Sequence, residues 1–151
     1  MTLLLTIPSG GEWILIILVM GLMFIPPIMY LLTLQSTFNS ISLHNRKMAP
    51  ANVWLLLVPL FNLVWHFIVV KNLSDSLKAE ATEKNVSMKE ISPGYNLGLA
   101  MCILNCLLII PAIGAIAAIP FLICWILYWQ KIASYKKQLV GNKYNTIGSP
   151  N

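Results

Sequence analysis

Residues 48–70 read MAPANVWLLLVPLFNLVWHFIVV, without a single Asp, Glu, Lys or Arg, and the fold turns on whether this run crosses a membrane or dips in and returns. As one helix its denser part, Val53 to Val70, is about 27 Å long, just enough for a hydrocarbon core of about 30 Å. The stretch Val58-Pro59-Leu60-Phe61-Asn62 argues the other way, because it offers a turn in the middle of the run. A segment that turns back exposes backbone polar groups, which must then be satisfied by protein or water.

The flanks frame the question. Upstream, Trp13 to Leu34 is apolar and about 33 Å long as a helix, bounded by Glu12 on one side and by His44, Arg46 and Lys47 on the other. Downstream, Ile91 to Gln130 again lacks formal charge, too long a run for one span and enough for two. Pro111, Gly114 and Pro120 place a turn there, so Tyr95 to Ile110 and Ala115 to Trp129 read as short helices joined through Pro111 to Gly114. The expectation is an all-α, polytopic helical membrane protein, a single membrane domain over 1–151 of about four transmembrane helices (13–34, 53–70, 95–110 and 115–129) with a C-terminal helical hairpin.

Composition agrees. The chain is 58% hydrophobic and 10% charged, where a soluble domain carries about 25% charged residues to cover its surface. The long segments are apolar all round, as lipid-facing or fully buried helices are. Met1 to Ser9 lacks a basic region and is broken by Pro8, so the first span reads as retained, not as a signal peptide. Thr2 and the C-terminal Ile147-Gly148-Ser149-Pro150-Asn151 carry no lipidation signal.

Lys and Arg set orientation because they resist translocation. With four spans and cytoplasmic termini, the loop 71–94 brings Lys71, Lys78, Lys84 and Lys89 inside, and the tail adds Lys131, Lys136, Lys137 and Lys143. Arg46 and Lys47 then lie outside, against the rule. The rival, with 48–70 re-entrant and the N-terminus outside, makes all ten basic residues cytoplasmic. Length favours four spans and charge favours the rival. An echo between Pro59 to Leu77 and Pro120 to Leu139, each running from Pro through an aromatic stretch to an exit at Lys71 or Lys131, puts those two exits on one side.

The loop after the second segment balances its lysines with Asp75, Glu80, Glu83 and Glu90, and Glu80 to Lys84 is the favourable helical order, so the helix is expected to continue past the bilayer. Ile132, Tyr135 and Leu139 share one side of a juxtamembrane helix suited to anionic lipid. Residues 141–151 read as a disordered tail. The net charge of +5 sits in membrane flanks and calls for no nucleic acid.

Polar residues inside lipid are the natural site candidates. Asn62 and His66 lie one helical turn apart on one face, and Asn105 is a further intramembrane polar contact. Gly94, Gly98, Cys102 and Cys106 form a ridge of small side chains at steps of four, with Gly114 and Ala118 as a shorter one, and such ridges let helices approach closely. No cofactor, metal or catalytic template is present: GxSxG, HExxH, Walker and GxGxxG patterns are all missing, and the chain reads as no enzyme. The expected function is a structural or accessory subunit that packs with itself or another membrane protein. The alternatives are a minor transporter or channel using Asn62 and His66, and a metal or redox site at Cys102, Cys106 and His66.

Asn45-Arg46-Lys47-Met48-Ala49-Pro50, Trp54-Leu55-Leu56-Leu57-Val58-Pro59-Leu60-Phe61-Asn62, Ser74-Asp75-Ser76 and Trp125-Ile126-Leu127-Tyr128-Trp129-Gln130-Lys131-Ile132-Ala133 together resemble small bacterial multi-pass membrane proteins. The resemblance covers the last three spans, implies a bacterial inner membrane and carries no known activity.

Overall fold

The structure, a computed structural model, describes residues 10–147, with side chains from 12 to 141. Among the described residues it is all-helical: α1 (Gly10–Ser40), a 3-10 helix (Pro50–Leu57), α2 (Phe61–Glu83), α3 (Tyr95–Leu107) and α4 (Pro111–Ile147). Two stretches are long and apolar enough to cross a membrane, Glu12–Ser40 in α1 and Pro111–Gly141 in α4. Tyr95–Leu107 is a shorter apolar helix.

Residues 53–70 do not form the single helix expected of them. The 3-10 helix ends at Leu57 and α2 begins at Phe61. Pro59 has no N–H to continue a helix, and the chain reverses in a γ-turn: the Phe61 amide donates to the Pro59 carbonyl at 2.7 Å, with Leu60 at φ 63, ψ −46. A positive φ on a branched, non-glycine residue is a strained conformation. Once reversed, α2 keeps going to Glu83, as the Glu80 and Lys84 spacing implied.

Side-chain contacts fix the directions of the elements. Tyr30 meets His66, and further along Ser42 meets Glu80, so α1 and α2 run the same way. Trp129 donates to Thr33, and Lys136 to Ser36, so α4 runs with them. The 3-10 helix runs against α1, with Trp54 donating to Gln35 and its far residues Leu56 and Leu57 lining the same cavity as Met23. From His66 back to Leu60 is about 9 Å of helix, which sets the γ-turn part-way along α1, well short of Trp13.

The hairpin of α3 and α4 turns three residues earlier than the sequence indicated. Pro111 opens α4 and is not part of the turn, because proline suits the first helical position, where its missing N–H is not needed. Leu108 to Ile110 make the reversal. Pro120 is absorbed inside α4, and the helix continues to Ile147, correcting the disordered tail for 141–147; residues 148–151 lie outside the described residues.

The packed core gathers at one end of the bundle. It joins Tyr30, Leu34 and Phe38 of α1 with Val69, Leu73 and Leu77 of α2, Met101 and Cys102 of α3, and Tyr128, Ile132 and Leu139 of α4. By contrast α1 from Trp13 to Phe24 is exposed on every side. Every described Lys and Arg side chain lies toward the packed end. The side chains of Lys84, Lys131 and Lys136 are tied there to Glu80, Glu90 and Ser36, and the Lys47 backbone amide donates to the Ser76 hydroxyl.

Candidate functional site

Pro26 and Pro27 cannot donate to the carbonyls of Leu22 and Met23, which leaves polar backbone in the middle of an apolar helix. Beside this break the γ-turn brings the start of α2 against α1, and α3 and α4 line the other side, leaving the space partly open. The result is a cavity of about 360 Å³, within the range typical of small-molecule sites. Its polar lining comes from Tyr30, Asn62, His66 and Asn105, set among Met23, Leu31, Leu57, Phe121 and Trp125. The three residues singled out as intramembrane polar contacts thus line one space.

Tyr30 is the residue the sequence reading missed. Its hydroxyl lies 2.9 Å from Nε2 of His66, and both side chains are buried. The Tyr30 ring sits edge-on to Trp125, with centroids 5.6 Å apart, and close to Trp129 and Tyr128. A phenol in the middle of an otherwise apolar span, one turn after a proline pair, was a visible signal, because a buried tyrosine hydroxyl needs a partner. On the far side of the imidazole, Nδ1 of His66 has no hydrogen-bond partner, and neither has Oδ1 of Asn62. Buried polar groups are rarely left so.

No family model, curated protein or solved structure matches this chain.

The small-residue ridge works inside the chain. Gly98 is pressed between Val70 and Tyr128, where an added Cβ would lie 2.5 Å and 2.8 Å from side-chain carbons of each. Gly94 precedes α3 at φ +72 and faces Ile132. Cys102 is buried in the core, Cys106 and Ala118 are half-buried, and Gly114 packs on the Leu108 carbonyl, where a Cβ would approach to 2.6 Å. Cys102, Cys106 and Cys124 are free thiols. Among the described residues no group of three or more His, Cys, Asp or Glu side chains could hold a metal, so Cys102, Cys106 and His66 are not assembled as a ligand set.

A second polar cluster closes the basic end. Glu80, fully buried, accepts from the Ser42 amide at 3.0 Å, the Ser42 hydroxyl at 2.8 Å, Asn45 at 2.8 Å and Lys84 at 2.5 Å. Burial alone would raise its pKa, but the hydrogen bonds from Lys84, Asn45 and Ser42 outweigh that and bring it down to about 2. Glu83 binds His44 at 2.6 Å and also Asn45, and these hydrogen bonds lower its pKa. Arg46 donates to the Ile41 carbonyl at 3.0 Å, placing a cation at the C-terminal end of α1, where the helix dipole favours one. Glu90 pins the other loop to α4 through Lys131 and Tyr135 and accepts from the Gly94 amide at 2.9 Å. These contacts anchor loops and hold no unpaired acid.

Proposed function

We propose that the chain is an integral membrane protein with three crossings, α1, α3 and α4, and one re-entrant segment made of the 3-10 helix and the start of α2. On this reading all ten Lys and Arg are cytoplasmic and the Glu12 end lies outside. The blemish that Arg46 and Lys47 cause for four spans disappears. Non-helical backbone at membrane depth is tolerated where protein surrounds it or a cavity is lined by it, and the γ-turn sits beside such a cavity.

The function this architecture supports best is binding of a small lipophilic molecule inside the membrane. The observation that carries it is the cavity of about 360 Å³ itself, mainly apolar and lined by few polar side chains, Tyr30, Asn62, His66 and Asn105. Ligand sites are typically of this kind, an apolar space with a small number of placed polar groups. An alkyl diazirine probe, photolysed with the protein in nanodiscs, should attach to Leu56 and Phe121, and Leu57→Trp, which fills the cavity, should remove those adducts. Adducts confined to the outward faces of α1 and α4 would falsify the binding reading. Permeation is an extension of it, and there His66→Ala should abolish flux in liposomes.

A subunit role is the second reading. It rests on α1 between Trp13 and Phe24, which touches little else in the chain; Gly21 has nothing within 4 Å of an added Cβ. A cysteine at Gly21 should form a disulfide-linked dimer, or a cross-link to a copurifying membrane protein. A monomer with neither removes this reading.

A further inference from the structure

The side of α4 that the sequence offered to anionic lipid is not free to meet it, because Ile132, Tyr135 and Leu139 are buried in the core. Two lysines of the same helix lie instead along a groove of about 450 Å³ between α1 and α4, lined by Thr33 of α1 and by Ala133, Lys136, Lys137, Val140 and Gly141 of α4. Gly141 leaves the groove open, since an added Cβ there would meet nothing within 4 Å. Lys136 bridges the two helices, donating from Nζ to the Ser36 hydroxyl at 2.7 Å, and Lys137 is exposed. Neither helix neutralises them: α1 has no acidic residue after Glu12, and α4 has none. Among the described residues the lysines in ion pairs are Lys71, Lys84 and Lys131.

Two features set the groove at the level of lipid head groups. Trp129, one helical turn before Ala133, donates to the Thr33 hydroxyl at 2.8 Å, and tryptophan is the side chain that membrane interfaces favour. Helical side chains lean toward the N-terminus of their helix, so both lysines lean back toward the apolar part of α4. Beyond Thr33 and Ala133 the walls turn apolar. Met29 and Ile25 precede Thr33 at steps of four on α1, and Ile126 and Leu122 share the Ala133 face of α4, all about half exposed. Resting on the membrane reading, though not on the number of crossings, we propose that this groove binds an anionic glycerophospholipid. Its phosphate sits with Lys136 and Lys137, and its acyl chains run along Met29 and Ile126. Basic pockets between membrane helices on the cytoplasmic side recognise such head groups. Two ammonium groups without an acid on either wall select a net negative head over a zwitterionic one, whose own cation already offsets the phosphate.

The test places the full chain in phosphatidylcholine nanodiscs with a trace of photoactivatable lipid, either phosphatidylglycerol or phosphatidylcholine, carrying the same diazirine on the acyl chain. Adducts on Met29 and Ile126 should be at least about tenfold more abundant with phosphatidylglycerol. Lys136→Gln/Lys137→Gln should cut that preference to about twofold or less, and Lys137→Gln alone should lower it about threefold. Lys78→Gln/Lys89→Gln, which removes the same charge from exposed positions elsewhere, should leave it unchanged. Soluble glycerol phosphate in large excess should leave the adducts in place, because the bilayer holds the lipid head at the groove; if it abolishes them, the groove takes free phosphate and the lipid assignment falls. Equal labelling by the two lipids, or an equal loss of preference in both double variants, overturns the site and leaves the membrane reading standing. A chain that stays in the aqueous fraction when nanodiscs are assembled removes both.

Discussion

At the scale of single residues, the fold rests on a few positions where one atom more or less is felt. Gly98 is the clearest. An alanine there would push a methyl into Val70 and Tyr128, both buried. Overpacking of this kind costs about 1–3 kcal/mol, so Gly98→Ala should lower the melting temperature in detergent, whereas Gly21→Ala, with open space around it, should leave it unchanged or raise it. Leu60 behaves in the opposite sense. Its side chain is 80% exposed while its backbone sits at φ 63. Glycine adopts that conformation freely, so Leu60→Gly should stabilise the protein by about 1 kcal/mol, and Leu60→Val should destabilise it. If the two variants melt alike, the γ-turn is wrong. Gly98 was visible as one step of a four-residue ridge, but the ridge alone did not say that the neighbour was this chain's own Val70 instead of another subunit. Asn62 and His66 were legible for a simple reason: polar side chains are rare in apolar runs.

At the scale of elements, the carboxylates of the basic end tie loops to helices, and their titration should report on that. Glu80 has a folded pKa lowered from 4.5 to about 2, so its contribution is complete above pH 4.5 and is lost as the pH falls toward 2. Glu83 and Glu90 are shifted in the same direction and add to the same acid loss. Melting followed from pH 7 to pH 2 should show stability falling below pH 4.5, with a shallower fall in Glu80→Gln. That variant should also be less stable at pH 7, by roughly 3 kcal/mol, because the partners of a buried charge are left behind. Parallel acid profiles for the two proteins would mean that Glu80 does not carry the loop. The elements themselves were unevenly legible. Tyr95 was read correctly as the start of α3. Pro111 and Pro59 were the ambiguous signals, since a proline both opens a helix and ends one, and its neighbours in space decide which.

For the whole molecule the decisive question is the side on which the loop 41–49 lies. In the proposed topology Leu43, 81% exposed in that loop, shares a side with Ser87 and opposes Trp13. With the native cysteines replaced by alanine, a membrane-impermeant maleimide should label Leu43→Cys and Ser87→Cys from the same face and Trp13→Cys from the other. Labelling of Ser87→Cys together with Trp13→Cys, with Leu43→Cys alone on the other face, would restore four spans. That the chain is helical and suited to a membrane follows from composition and hydropathy, because apolarity adds up along a local stretch and needs no knowledge of neighbours. The return of residues 48–70 could not be read that way. Crossing and dipping bury almost the same side chains, and the choice between them depends on contacts between residues far apart in the chain: Tyr30 with His66, Trp54 with Gln35, and Ser42 and Asn45 with Glu80. Those contacts, which no local stretch of sequence contains, are what fold the second apolar run back at Pro59 and make it line a cavity.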